Sequence, residues 1–280
     1  MYISFTTTSL GISNLETIDP IVEKTNAYIE LSSNHYFEIN KENLKKFQNR
    51  LFIHNYSPRP KEAFVLNIAS TNEENYKLSK NMVLQNILLS RDLGSPYYSF
   101  HAGYASDISP SMMGTKITSE PYDKREEILE IFTNRCRNFS SFASKNGVRL
   151  LIENNVAGLR NKLLNKTDLL LLAHIDEIES FFELMYPKCG LLLDVAHLKV
   201  SAKNLNFNLH NAIERLSPFV QGLHLSDNDG FEDTNELFFE DSWFLSYLTQ
   251  FKNLDYIAIE TKKTSIDKLE GMYKIIQNNI

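Results

Sequence analysis

In this 280-residue sequence His54 ends the run LFIH, His101 ends YYSFH, Glu153 ends RLLIE and Asp194 ends GLLLD, with His197 three residues further on. His224 and Asp227 fall in VQGLHLSD, and Glu260 closes YIAIE. A carboxylate or imidazole that finishes a buried apolar run is costly unless a partner or a cation compensates it. Taken singly, each reads as a loop ion pair or a histidine bonded to backbone. Taken together they do not, because four of the chain's seven histidines stand at equivalent places beside the carboxylates. Gathered at one point, such groups would desolvate and repel one another. A divalent ion held by imidazole nitrogen and carboxylate oxygen relieves that conflict, and zinc, manganese or cobalt suits the donor set.

A scaffold is needed to bring these positions together. Eight short apolar runs recur along the chain: 2–7, 27–33, 51–57, 97–103, 149–155, 190–197, 220–227 and 256–261. Between them lie segments such as 73–93 and 123–146, in which apolar residues return every three or four positions, as on a helix with one inward face. Gly94 and Gly147 stand where helix C-termini take glycine, and Thr167 or Asp168 is placed to cap a helix running through LLLLAHIDEIESFFELM. Strand and helix in alternation predict parallel strands, and eight units predict an α/β fold, a single (β/α)8 TIM barrel over residues 1–280 as one domain. A doubly wound open sheet is the other reading, but no glycine-rich phosphate loop follows any run. In a barrel the strand C-termini carry the active site, which is where the polar residues stand.

Composition sets limits on function. With 42% hydrophobic and 23% charged residues the chain is ordinary for a globular protein, and its formal net charge of −6 provides no overall basic field for nucleic acid or membrane. Two cysteines, Cys136 and Cys189, make neither a disulfide framework nor a zinc-finger pattern and suit a reducing compartment. No basic segment leads into an apolar one at the start, and no uncharged apolar run approaches the ~20 residues that span a bilayer. The expectation is a cytoplasmic protein that makes no membrane contact, with homo-oligomerisation left open.

The ordered set His54, His101, Glu153, Asp194-x-x-His197, His224, Glu260, with the segments IENNVAG, LLLDVAH, HLSD, IAIET and FIHNYSPRPKEAFVLNIAS, resembles the xylose isomerase-like barrel superfamily. That group includes sugar isomerases and epimerases and apurinic endonucleases of the deoxyribonuclease IV type. The resemblance implies a shared metal site of Glu153, Asp194, His224 and Glu260. In the nuclease branch it implies a second metal on His54 and His101 with Glu153. It also implies a third on His197 with an Asp-x-His pair after strand seven. Here that pair is Asp233-Thr-Asn235, and asparagine is a poor zinc ligand beside histidine.

The expected function is a metal-dependent sugar isomerase or epimerase working through an enediolate. Glu153 and Glu260 exchange the proton, and His197 assists. A phosphodiesterase of the apurinic endonuclease type is the alternative, with a lyase or dehydratase on the same scaffold as a third. Arg59, Arg160, Lys199 and Asp227 are candidate substrate contacts, Lys61 and Lys162 weaker ones. Tyr56, Tyr104, Phe231 and Trp243 are candidate pocket aromatics, each more readily read as packing. His174 is expected on the buried face of a helix, with no site role.

Overall fold

The structure, a computed structural model, describes residues 1–11, 24–32, 47–57, 59–113, 115, 117–158 and 169–280. Every apolar run becomes a strand: β1 Tyr2–Thr6, β2 Tyr28–Leu31, β3 Leu51–His54, β4 Tyr97–His101, β5 Arg149–Glu153, β6 Gly190–Asp194, β7 Val220–Leu225 and β8 Tyr256–Ile259. All eight pair in parallel with their sequence neighbours, and β8 closes on β1. This is a closed (β/α)8 barrel. Among the described residues the helices are α1 Thr7–Leu10, α2 Glu73–Asp92, α3 Arg125–Lys145, α4 Ile175–Met185, α5 Val195–Leu205, α6 Leu209–Leu216 and α7 Ile266–Asn278. None of them is long and apolar enough to cross a membrane.

Strand register decides what faces the lumen. Side chains alternate across a strand, so residues paired across neighbouring parallel strands share a face. The pairs Ser4–Tyr28, Thr6–Glu30 and Glu30–Phe52 place those residues inside. His101–Glu153, Asp194–His224 and His224–Ala258 do the same at the far end of the barrel. Residues of the other parity, such as Phe5, Ile29, Ile53, Phe100, Ile152, Leu193 and Leu223, pack under the helices in the main core. A layer of Phe52, Tyr97, Leu151, Leu192, Tyr256 and Ala258, with Tyr2 and Tyr28 at its edge, fills the lumen near the strand N-termini. Gly222 makes room for it, since a Cβ there would lie 2.8 Å from Tyr256 and 2.9 Å from Leu192.

Helix ends follow local chemistry. Asn72 caps α2 by accepting from the Asn75 amide, and Gly94 follows that helix with φ 69°. Gly147 does the same after α3, with φ 71°. One expectation fails. No helix begins at Leu169. Its start is Ile175, capped by His174, whose Nδ1 accepts from the Asp176 amide at 3.2 Å. Leu170 forms an isolated bridge to Tyr104, Leu172 adopts φ 54°, and Leu169, Leu170 and Ala173 pack with Val65, Ile108, Ile117 and Ala157. Four consecutive leucines carry no helical period, so their apolarity reported burial and not helix. Thr167 and Asp168 lie outside the described residues.

Candidate functional site

The C-terminal mouth gathers the ends of β2 to β8. Glu153 is fully buried at its centre. Its Oε1 lies 3.5 Å from His101 Nδ1, 3.3 Å from His197 Nδ1 and 3.6 Å from His224 Nδ1, and its Oε2 lies 3.2 Å from His54 Nε2. His224 Nδ1 lies 2.5 Å from Glu260 Oε2. Asp194 divides its oxygens between two tasks. Oδ1 accepts the His197 amide at 2.8 Å and so caps α5, while Oδ2 is left for the site. One residue thus ends a strand, starts a helix and keeps an oxygen for the mouth, which accounts for a carboxylate after four apolar positions.

Glu30 is a member of this site that sequence reasoning missed. It is wholly buried on β2 and accepts from His224 Nε2 at 3.1 Å, leaving His224 Nδ1 for Glu260 and Glu153. Its signal was present in AYIELSS, an acid flanked by apolar residues at a lumen-facing position. Two asparagines were also missed. Asn154 lies across the ends of β5 and β6, accepting the Asp194 amide at 2.8 Å and donating to the Asp194 carbonyl at 3.1 Å. Asn55 bridges His54 and the backbone of His101.

At the centre burial and charge pull against one another. Burial pushes the Glu153 carboxyl up to about 7 and Asp194 to about 6, against the pull of nearby imidazoles, and burial raises Glu30 too. Burial, reinforced by neighbouring imidazoles, holds His54 and His101 well below the usual histidine range. For His197 burial acts downward, but Asp194, Asp233 and Glu153 outweigh it and raise the group; Glu30, Glu260 and Glu153 do the same for His224. Among the described residues, seven buried atoms here have no hydrogen-bond partner: Glu30 Oε1, His101 Nδ1, both Glu153 oxygens, Asp194 Oδ2, His224 Nδ1 and Asp233 Oδ1. Such orphans are rare in folded proteins and cost about 1–3 kcal/mol each. Glu153, Asp194, His224 and Glu260 present donor atoms that all lie within 4.8 Å of one another. Oxygen and nitrogen donors in that number, with orphaned atoms on Glu153, Asp194 and His224, fit a divalent ion.

The two further metal positions fare differently. His54, His101 and Glu153 do come together as a three-donor group. Asp233 Oδ2 lies 3.2 Å from His197 Nε2, but among the described residues no third donor joins that pair into a metal-ligating group. Asn235 instead accepts from Ser226 Oγ at 3.1 Å.

Two cavities open on the mouth, of about 220 Å³ and about 270 Å³, and His101, Tyr104 and Met113 border both. Tyr56 lines the first, while Trp243 packs on Phe244 and Phe231 is covered by Lys203 at 3.2 Å. Lys199 and Asp227 meet each other at 2.6 Å and border neither cavity; Arg59 is exposed, and Arg160 and Lys162 lie outside the described residues. A larger groove of about 900 Å³ sits at the opposite end of the barrel, away from every clustered donor.

The family model for the xylose isomerase-like TIM barrel matches residues 22–273. The chain belongs to that family. Among solved structures this family member is similar to a D-tagatose 3-epimerase-like protein (18% identity, TM-score 0.70, covering 100% of this chain and 97% of that one). It is also similar to a 3-keto-D-glucoside 4-epimerase from E. coli (11%, TM-score 0.68, 100% and 98%) and to a Thermus thermophilus protein soaked with zinc chloride (18%, TM-score 0.61, 99% and 98%). At these identities the likeness concerns the fold. No curated protein matches the sequence.

Proposed function

We propose that the protein is a divalent-metal-dependent epimerase or isomerase acting on a small, unphosphorylated sugar or sugar derivative. The observation that carries this is the mouth itself. A set of four donors, three of which hold buried atoms without a hydrogen-bond partner, lies beside cavities of about 220 and 270 Å³, whose described lining holds imidazole, carboxylate, hydroxyl, amide and apolar groups but no lysine or arginine. Phosphate recognition calls for cations, whereas a neutral polyol needs a small concave site with a few hydrogen-bonding groups. The epimerases among the structural neighbours support the same reading.

Glu153, Asp194, His224 and Glu260 would hold the ion, which when bound supplies Lewis acidity to neighbouring substrate oxygens. The chain's own groups do the rest. Glu153 on β5 and Glu260 after β8 approach His224 from different strands. One removes the proton from the carbon beside the substrate carbonyl, and the other returns it to the second face of the resulting enediolate. His197 is held by the Asn154 carbonyl at Nδ1 and turns Nε2 towards Asp233 and the larger mouth cavity, where it can hydrogen-bond a substrate oxygen. His101 borders both cavities and can take a hydroxyl from either.

The test pairs two assays on the metal-loaded protein: deuterium exchange from solvent into a panel of ketoses, and nicking of an abasic DNA duplex. Exchange without nicking is expected. Efficient nicking abolished by Glu153→Gln, with no exchange into any sugar, would replace this reading with the endonuclease alternative, which the grouping of His54 and His101 with Glu153 favours. Exchange accompanied by loss of water would point to the dehydratase.

A further inference from the structure

His54, His101 and Glu153 converge as a second donor group, yet one of the three arms is stoppered. His54 Nδ1 lies 2.9 Å from Ser99 Oγ, and its Nε2 lies 2.6 Å from Asn55 Nδ2. The orientation of the Asn55 amide is not free, because its Oδ1 accepts the His101 backbone N–H at 3.1 Å. With the oxygen committed there, the NH2 group faces His54 and donates into the Nε2 lone pair. A neutral imidazole has one N–H and one lone pair. The N–H of His54 is therefore on Nδ1, donated to Ser99, and the Nε2 lone pair that a metal would need is already taken. Nε2 is the nitrogen that faces Glu153, at 3.2 Å.

Asn55 is also unable to swing away cheaply. Its N–H donates to the Ser99 carbonyl at 2.8 Å, and its carbonyl accepts from Tyr98 Oη at 2.9 Å and Asn86 Nδ2 at 2.8 Å. Its backbone sits at φ 51°, a left-handed conformation that asparagine tolerates better than most residues. Rotating the side chain would orphan the part-buried amide of His101 and the buried ring nitrogen of His54 together. The two remaining arms, Glu153 and His101, are too few to make a strong site beside a first centre that already uses Glu153.

We infer that Asn55 is a specificity-determining residue that stoppers His54 and keeps the centre mononuclear. This rests on the proposed first centre and goes beyond it, since it names the residue that withholds the second ion a phosphodiesterase would need.

Cobalt(II) titration of the metal-free protein, followed by the visible absorption of the bound ion and checked by elemental analysis, tests it. The wild type is expected to saturate at one equivalent. Asn55→Gly, which suits the left-handed backbone and removes the donor, is expected to saturate at two. Adding His101→Ala to Asn55→Gly should restore one. Asn55→Asp keeps the oxygen that accepts from His101 and lacks the donor, so it is expected to gain the second ion even where the glycine variant folds poorly. Two equivalents in the wild type, or one in both folded Asn55 variants, would overturn the role of Asn55 and leave the first centre standing. No binding in the wild type would overturn both.

Discussion

At the floor of the barrel Tyr2, Tyr28, Phe52, Tyr97 and Tyr256 close the lumen ring against ring, with Phe52 and Tyr256 centroids 4.5 Å apart and Tyr28 stacked on Phe52 at 5.3 Å. At the mouth, two to four residues beyond Tyr28, Phe52, Tyr97 and Tyr256 along the chain, stand Glu30, His54, His101 and Glu260, joined by Glu153, Asp194 and His224 from β5, β6 and β7. The inward alternation is unbroken between the two ends, so backbone geometry is common to both. What differs is how polar atoms are treated. Among the described residues the floor leaves one buried atom without a hydrogen-bond partner, the Tyr256 hydroxyl, whereas the mouth leaves seven. The floor gains dispersion and apolar burial from every ring. The mouth holds buried polar groups that cost stability unless a cation compensates them, as the proposed function requires.

Each end can be broken separately. At the mouth, Glu153→Gln is expected to reduce exchange into substrate by about 100- to 10,000-fold and to remove most of the bound metal. The barrel should stay folded, with an intact circular dichroism spectrum. Retained metal and activity would mean that the orphaned carboxylate is only structural. At the floor, Phe52→Ala is expected to cost about 3–5 kcal/mol of stability in a urea melt without changing the number of ions bound. A loss of metal in the folded variant would show that floor and mouth are one cooperative unit.

Of the two ends, the mouth is the one on which acid should act. Metal binding requires deprotonated ligands, and Glu153 and Asp194 hold protons up to about 7 and about 6. Apparent affinity should therefore fall as pH drops through those values, by about tenfold per unit for each proton displaced. For the metal-free protein the contribution of these two groups has the opposite sign. Their folded pKa values lie above the unfolded ones, so they favour the fold at low pH and cease to do so as pH rises through about 6 to 7. Calorimetric titrations across that range, with parallel melts in the presence and absence of a chelator, would show both trends. The smallest effect expected is that of Glu30→Gln, which weakens the partner of His224 Nε2. About a tenfold loss of metal affinity, at the low end for residues that orient a ligand, would place Glu30 with the mouth. An unchanged affinity would place it with the packing below.

Much of this was legible in the chain. The eight strands were visible because parallel barrel strands are buried on both sides and read as apolar runs. His54, His101, Glu153, Asp194, His224 and Glu260 were visible because each breaks such a run at its C-terminal end. The helix predicted through the leucines at 169–172 was wrong, because apolarity without a period records burial and leaves the backbone undetermined; there the packing against Val65, Ile108 and Ile117 settled an irregular path. Glu30 was passed over because a single acid inside a short run is ambiguous until register shows which way it faces.

Sequence by itself therefore determined the order of strands, their alternation and the donor types at their ends, all of which are local properties of residue type and spacing. Tertiary structure alone decided which nitrogen of each histidine is free. His224 turns Nδ1 to the carboxylates because Glu30, from a strand 194 residues away in the chain, accepts from Nε2. His54 has no free nitrogen because the amide of Asn55 is oriented by the backbone of His101, 46 residues on. A ring nitrogen is donor or acceptor according to what stands opposite it in space, and residue spacing carries no record of that.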